Sequence, residues 1–138
     1  MKTNQLKIDF SDGREIDDEF ILFENIITDR GSRYSVSGGV VTKRDDVKKF
    51  LTRLKSNKKY AKATHNTFAV RISSENKIFE TKSDDGETGA GNVLLRILQK
   101  ENMINVIVVV TRWFGGIKLQ NDRYKHVQDA ARYFCKHV

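Results

Sequence analysis

The stretch from Lys77 to Leu119 constrains the fold more than any other part of the chain. It reads KIFETK (77–82), DDGETGAG (84–91), a short apolar helix pattern, INVIVVVT (104–111) and then RWFGGIKL (112–119). KIFETK has the make-up of a strand, GAGNVLLRILQK (89–100) carries helical apolar spacing, and INVIVVVT is a β-branched run. Strand, helix and strand in series usually join parallel neighbours, and such a crossover takes at least about ten to twelve residues. The chain between these two strands is long enough. Each strand is followed by a loop containing glycine, so parallel pairing would bring Asp84, Asp85 and Glu87 to one sheet edge with Arg112 and Trp113.

Periodicity supplies the remaining elements. RYSVSGGVV (33–41) reads as a strand whose glycine pair marks a bulge or a close backbone approach. Thr42, with Asp45 three residues on, signals the start of a helix whose apolar stripe is Val47, Phe50, Leu51 and Leu54. NTFAVRI (66–72) and KIFETK are joined by Ser73, Ser74, Glu75 and Asn76, a hairpin signal that places His65 at a strand entrance. Val127, Ala130, Ala131, Phe134 and Cys135 recur at helical spacing, with Asn121 or Asp122 as the cap. Near the start, Leu6, Ile8 and Phe10 alternate before Asp12-Gly13, which predicts a strand and a tight turn, and FILFENII (20–27) is a strand or a short buried segment. Three helices against a sheet rich in antiparallel pairs make an α+β fold, a two-layer sandwich with a mixed sheet and the helices on one face. The 138 residues suit one core, divided as an acidic, hairpin-like extension over 1–28 and a domain over 29–138.

The net charge of +7 is concentrated in one place. Nine basic residues lie between Lys43 and Lys62 against Asp45 and Asp46, while the rest of the chain is balanced at sixteen of each sign. On a helical wheel Arg44, Lys48, Lys49, Arg53 and Lys55 fan away from the apolar stripe, and Lys58, Lys59 and Lys62 continue the surface beyond it. One reading is a solvated helix face. The other is a footprint for an anionic partner such as RNA, a ribosome surface or an acidic protein, although only Tyr60 is near to stack on a base. No run of about eighteen apolar residues is present and MKTNQLKIDF lacks the apolar stretch of a secretory signal, so a cytoplasmic protein with no membrane span is expected. The single cysteine, Cys135, sits on an apolar helix face and reads as a buried structural thiol.

The glycine loops carry the candidate chemistry. Gly86, Gly89 and Gly91 at a helix N-terminus can offer backbone N–H groups to an anion. Asp84, Asp85 and Glu87 supply negative charge themselves, so one reading is a self-capped loop that also includes Thr88. The other gives the three carboxylates a Mg²⁺ ion that in turn holds a phosphate. No lysine follows the glycines, which excludes a Walker loop. On the facing loop, Arg112 and Trp113 before Gly115 and Gly116 can present a guanidinium and an indole to a nucleotide or peptide. Alternatively Arg112 pairs with Asp84, Asp85 or Glu87 while Trp113 or Phe114 fills the core. His65 and Asn66 join the same edge. No histidine and cysteine spacing suits zinc, no serine or cysteine has an evident base, and no catalytic residue is assigned.

DRGSR (29–33), KATHNTFAVRI (62–72), DDGETGAG, VVVTRWFGGIKL and NDRYKH (121–126) together resemble the domain shared by the IMPACT and YigZ proteins, with Trp113 and NDRYKH closer to the eukaryotic IMPACT type. The resemblance runs from about residue 29 to residue 135. It implies a fold similar to the second domain of ribosomal protein S five, with a left-handed crossover that departs from the general rule. It also implies translational control without catalysis: IMPACT proteins restrain the starvation-responsive initiation-factor kinase by competing for its ribosome-associated activator, and are linked to actin. Those proteins carry an upstream RWD domain, for which the 28 residues before Asp29 are too few, so the expectation is the shared domain nearly alone. The implied partners are a translation-control protein or the ribosome. A metal-dependent phosphate enzyme at the loop edge and an RNA-binding module are the alternatives from the residues themselves.

Overall fold

The computed structural model describes residues 13–138. In chain order its elements are β1 (Ile21–Asp29), β2 (Ser32–Val40), α1 (Arg44–Lys55), α2 (Lys58–Ala61), β3 (His65–Ser74), β4 (Lys77–Ser83), α3 (Ala90–Lys100), β5 (Val106–Trp113) and α4 (Asp122–His137). The strands form one sheet in the order β1-β2-β5-β3-β4. Every neighbouring pair is antiparallel. The fold is α+β, but the sheet is not mixed.

The position of β5 follows from its composition. Val106, Val108 and Val110 join Leu94, Leu98, Val127, Ala130 and Phe134 in one apolar cluster. Ile107 and Val109 join Phe50, Leu54, Tyr60, Val70 and Ile72 in a second. A strand that is apolar on both sides is stable only where both faces are covered and both edges are paired. Here β2 and β3 pair with its two edges, from Val40↔Val106 to Arg33↔Trp113 and from Arg71↔Val106 to His65↔Arg112. Two expectations therefore change. The strands β4 and β5 run parallel, yet β3 lies between them and they are not neighbours. The helices also divide between the faces, with α3 and α4 on one and α1 and α2 on the other, so the architecture has three layers.

The local signals hold with small shifts. Glu75 and Asn76, with φ of 49° and 65°, close the β3–β4 hairpin as a two-residue turn, as left-handed backbone at both positions requires. Helix α1 begins one residue later than expected: Lys43 is the N-cap, and Asp46 rather than Asp45 reaches back, accepting from the Thr42 N–H at 2.9 Å. Asn121 occupies the N-cap of α4 but makes no side-chain capping bond. Gly39 is a close backbone approach, because a Cβ there would strike the carbonyl of Glu19.

The strand and turn expected over Leu6 to Asp12 lie outside the described residues. From Ile21 onward the N-terminal segment contributes β1 to the sheet, so this element crosses the division expected at residue 29. Just before it, Asp18 accepts from the Val40 N–H at 2.9 Å and Phe20 stacks on Phe50 of α1 at 5.1 Å between centroids. The acidic segment thus runs beside the basic helix. Among the described residues, no helix is long and apolar enough to cross a membrane.

Candidate functional site

The acidic loop between β4 and α3 directs its three carboxylates to three different partners. Asp84 accepts from the N–H of Gly89 at 2.9 Å and of Gly91 at 2.8 Å, satisfying donors that a helix N-terminus leaves open. A Cβ on Gly91 would stand 2.7 Å from the same carboxylate, which explains the glycine. Asp85 accepts from the backbone N–H of Asn66 at 2.7 Å, and its own carbonyl contacts His65 Nδ1 at 2.8 Å. This fastens the loop to the start of β3. Glu87 turns inward, only 2% exposed. The carboxylates therefore do not converge as a Mg²⁺ ligand set, and among the described residues no group of three metal-ligating side chains is assembled.

Glu87 meets Arg112, as the juxtaposition of the two loops predicts. Arg112 Nη1 donates to both carboxylate oxygens at 3.0 and 3.1 Å, and Nη2 donates to Ser32 Oγ at 3.3 Å. Arg123 Nη1 and His65 Nε2 stand 3.6 and 3.8 Å from the same carboxylate. Burial makes such a pair a structural commitment, since an uncompensated ion in this place would be costly. The loops meet without β4 and β5 being adjacent because the His65 end of β3 lies between them.

Trp113 does not share that site. Alternation along β5 sends Arg112 toward α3 and α4 and Trp113 toward α1 and α2, so the guanidinium and indole cannot grip one ligand from the same side. Trp113 Nε1 donates to the Lys59 carbonyl at 3.0 Å and its ring packs edge-on against Tyr60 at 5.1 Å. Asn66 is on this face too, bonded to the Tyr60 carbonyl and accepting from Thr111 Oγ1 at 2.7 Å. Thr88 contributes its carbonyl, which accepts from Tyr124 Oη at 2.8 Å. Gly86 lies against the His65 ring, Gly115 on Gly31, and Gly116 is open to solvent.

Several members of this edge carry no local signal in the sequence. Ser32 serves both Arg112 and the Gly115 N–H, while Thr64 Oγ1 accepts from the Phe114 N–H at 2.9 Å. His126 Nε2 lies 2.7 Å from Asp29 Oδ2, and Arg30 spans Asp29 and Asp122. The Arg30 guanidinium first, and His126 second, hold the Asp29 carboxyl well below the usual carboxylate range. Asp29, Arg30 and Ser32 lie in DRGSR and Asp122 and His126 in NDRYKH, two motifs that carried the family resemblance, but the contacts between them span more than 90 residues and left no local signal.

The second candidate surface is formed by α1 and α2. Phe50 and Leu54 are buried, Val47 and Leu51 partly so, and Arg44, Lys48, Lys49, Arg53, Lys55, Lys58, Lys59 and Lys62 are exposed. The arginines differ from the lysines. Arg44 lies over the Phe79 ring of β4 at 4.0 Å and Arg53 over the ring of Phe20, just before β1, at 4.6 Å, so each ties one flank of the helix to its neighbours. Lys59 approaches Glu24 at 3.6 Å. Among the described residues, the other five lysines of this set make no ion pair. A shallow groove of about 400 Å³ runs along the helix beside Glu19, floored by Phe50 and edged by Lys49 and Arg53.

Comparison with known proteins agrees with the motifs. The family model described as the Impact N-terminal domain matches residues 30–135. Protein IMPACT of Rattus norvegicus is 48% identical over 108 residues, 77% of this chain and 34% of the relative. Protein IMPACT of Homo sapiens is 46% identical over the same shares. The chain thus spans about a third of the length of these curated relatives. Among solved structures, that of the two-domain translational regulator Yih1 aligns with a TM-score of 0.59 and 32% identity, covering 96% of this chain and 52% of that one. A crystal structure of a hypothetical protein aligns at 0.73 with 20% identity, covering 86% and 61%, and shows the fold alone. The matched span contains the acidic loop, Arg112 and the basic helices together, and the chain belongs to the Impact N-terminal domain family.

Proposed function

We propose that this chain is a non-catalytic binding domain of translational control that engages a partner protein or the ribosome in the cytoplasm through the α1–α2 surface. Its pathway role is the one that the IMPACT resemblance implies, restraint of the starvation-responsive initiation-factor kinase. The observation that carries the reading is the set of lysines at 48, 49, 55, 58 and 62 on and just after α1 and α2, each exposed and without an acidic partner among the described residues. Such a concentration of like charge raises the folded state's electrostatic energy and is relieved by an anionic surface. The similarity to a translational regulator supports the process. The loop edge has a structural role in this reading, since Asp84, Asp85 and Glu87 are each engaged within the protein.

Charge reversal at Lys48, Lys49 and Lys55 tests the proposal without disturbing the two arginines that pin the helix. The variant is expected to leave ribosomal fractions on sedimentation and to show a shallower dependence of binding on salt. Unchanged co-sedimentation would refute it. Loss of the wild-type signal after nuclease treatment would instead assign the surface to RNA.

A further inference from the structure

We propose that the segment from Glu19 to Glu24 is a fixed acidic strap that attenuates one flank of the basic α1–α2 surface and leaves partner binding to the opposite flank of α1. The inference rests on the reading of α1–α2 as a binding surface and adds how that surface is regulated. Alternation along the segment sets its geometry. Ile21 and Phe23 pack with the cluster under α3 and α4, whereas Phe20 and Leu22 pack with Phe50, Leu54 and Tyr60 under α1 and α2. Glu24, next in that second series, reaches α2, where it accepts from Tyr60 Oη and approaches Lys59 Nζ at 3.6 Å.

The strap is held against the helix by contacts that do not depend on its acids. The Asp18 carbonyl accepts from the Val40 N–H at 2.9 Å, a Cβ on Gly39 would strike the Glu19 carbonyl, and Phe20 stacks on Phe50 at 5.1 Å between centroids while Arg53 lies over its ring. Glu19 consequently lines the same groove as Lys49 and Arg53. Its side chain is exposed, and among the described residues its carboxylate makes no ion pair. A carboxylate fixed in that groove lowers the positive potential over Lys49 and Arg53, and Glu24 does the same for Lys59 at close range.

The far flank of α1 escapes this effect. Lys48 and Lys55 lie roughly a third of a turn around the helix from Lys49 and Arg53. There they border a shallow hollow with Leu51 and Thr52, and no carboxylate lines it. An approaching anionic surface meets uncompensated charge on that flank. On the strap side it meets repulsion from Glu19 and must compete with Glu24 for Lys59. The charge pattern therefore orients a partner along Lys48 and Lys55 and disfavours anions that reach only the strap side.

The test measures binding of fluorescent polyglutamate at low ionic strength. Joint Glu19→Gln and Glu24→Gln substitution keeps an acceptor for Tyr60 and is expected to tighten binding about fivefold, the size of two surface charge contacts. The control is Glu101→Gln with Asp129→Asn, which changes the net charge equally at the ends and flank of α3 and α4 and should alter binding less than about twofold. Should the double strap variant lose stability, Glu19→Gln alone is expected to give part of the gain. In the wild type, Lys48→Gln with Lys55→Gln should weaken binding more than Lys49→Gln with Lys59→Gln, and the strap variant should narrow that difference. Equal tightening by the strap and control variants would overturn the inference. So would no tightening by the strap variant in a protein whose binding is lost on substitution of Lys48 and Lys55. No weakening from either lysine pair would instead remove the reading of α1–α2 as the binding surface, and the strap with it.

Discussion

Arg112 and Glu87 form an ion pair in which a single guanidinium nitrogen lies 3.0 and 3.1 Å from the two carboxylate oxygens, with 5% and 2% of the respective residues exposed. The acid also has Arg123 and His65 nearby, so it compensates more positive charge than one partner brings. Glu87→Gln keeps the shape and removes the charge, leaving two guanidinium groups poorly compensated. The expected loss is about 3 to 5 kcal/mol in chemical denaturation. Replacing both residues, Glu87→Leu with Arg112→Met, should recover part of it, because the buried Arg112 charge leaves with its partner while Arg123, one third exposed, keeps access to water.

Asp84 acts as the capping group of α3 from outside the helix. Its two oxygens take the N–H groups of Gly89 and Gly91, and among the described residues no other side chain caps that end. Asp84→Ala is expected to cost about 1 to 2 kcal/mol by urea denaturation. Chelator should leave the melting temperature of the wild type unchanged, whereas a chelator-induced fall would restore the Mg²⁺ reading of this loop.

Cys135 lies at the buried face of α4, and burial pushes its thiol up to about 11. The thiolate is the reactive form, so native protein at neutral pH should resist maleimide labelling while denatured protein reacts at the ordinary rate. Mass spectrometry with and without denaturant reads the difference. Rapid labelling of the native chain would contradict the packing of Cys135 in the core.

The parts of this fold that were legible from the sequence are those set by neighbouring residues. Glu75-Asn76 announces its hairpin, and Phe50 with Leu54 or Val127 with Phe134 declares which side of a helix is inside, because the period places them together. Sheet order depends on contacts between distant segments. The strand-helix-strand series suggested that β4 and β5 are neighbours, but the β3–β4 hairpin gives β4 a partner and leaves β3's other edge for β5. The unbroken Val106–Val110 run held the missing signal: an apolar residue at every position calls for cover on both faces, not for helices on one. At the site, an Arg112 pairing with one of three acids was readable from loop placement. Which acid was not, because Asp84, Asp85 and Glu87 differ in the direction the turn gives them rather than in residue chemistry.

Asp29 ends β1 between Arg30 and His126, and these two neighbours lower its carboxyl, Arg30 more strongly. The sign of the pH effect follows from that direction. A carboxyl held below its unfolded value binds its proton less readily in the folded chain, so it stabilises the fold fully above about pH 4, the ordinary carboxylate range. The contribution diminishes as pH falls below that range and is lost once the folded carboxyl takes up its proton. Asp29→Asn cannot titrate and should therefore shallow the acid limb of a plot of melting temperature against pH, while lowering the plateau near neutrality. Parallel curves for the two proteins below about pH 4 would show that the Arg30 and His126 contacts do not persist in solution.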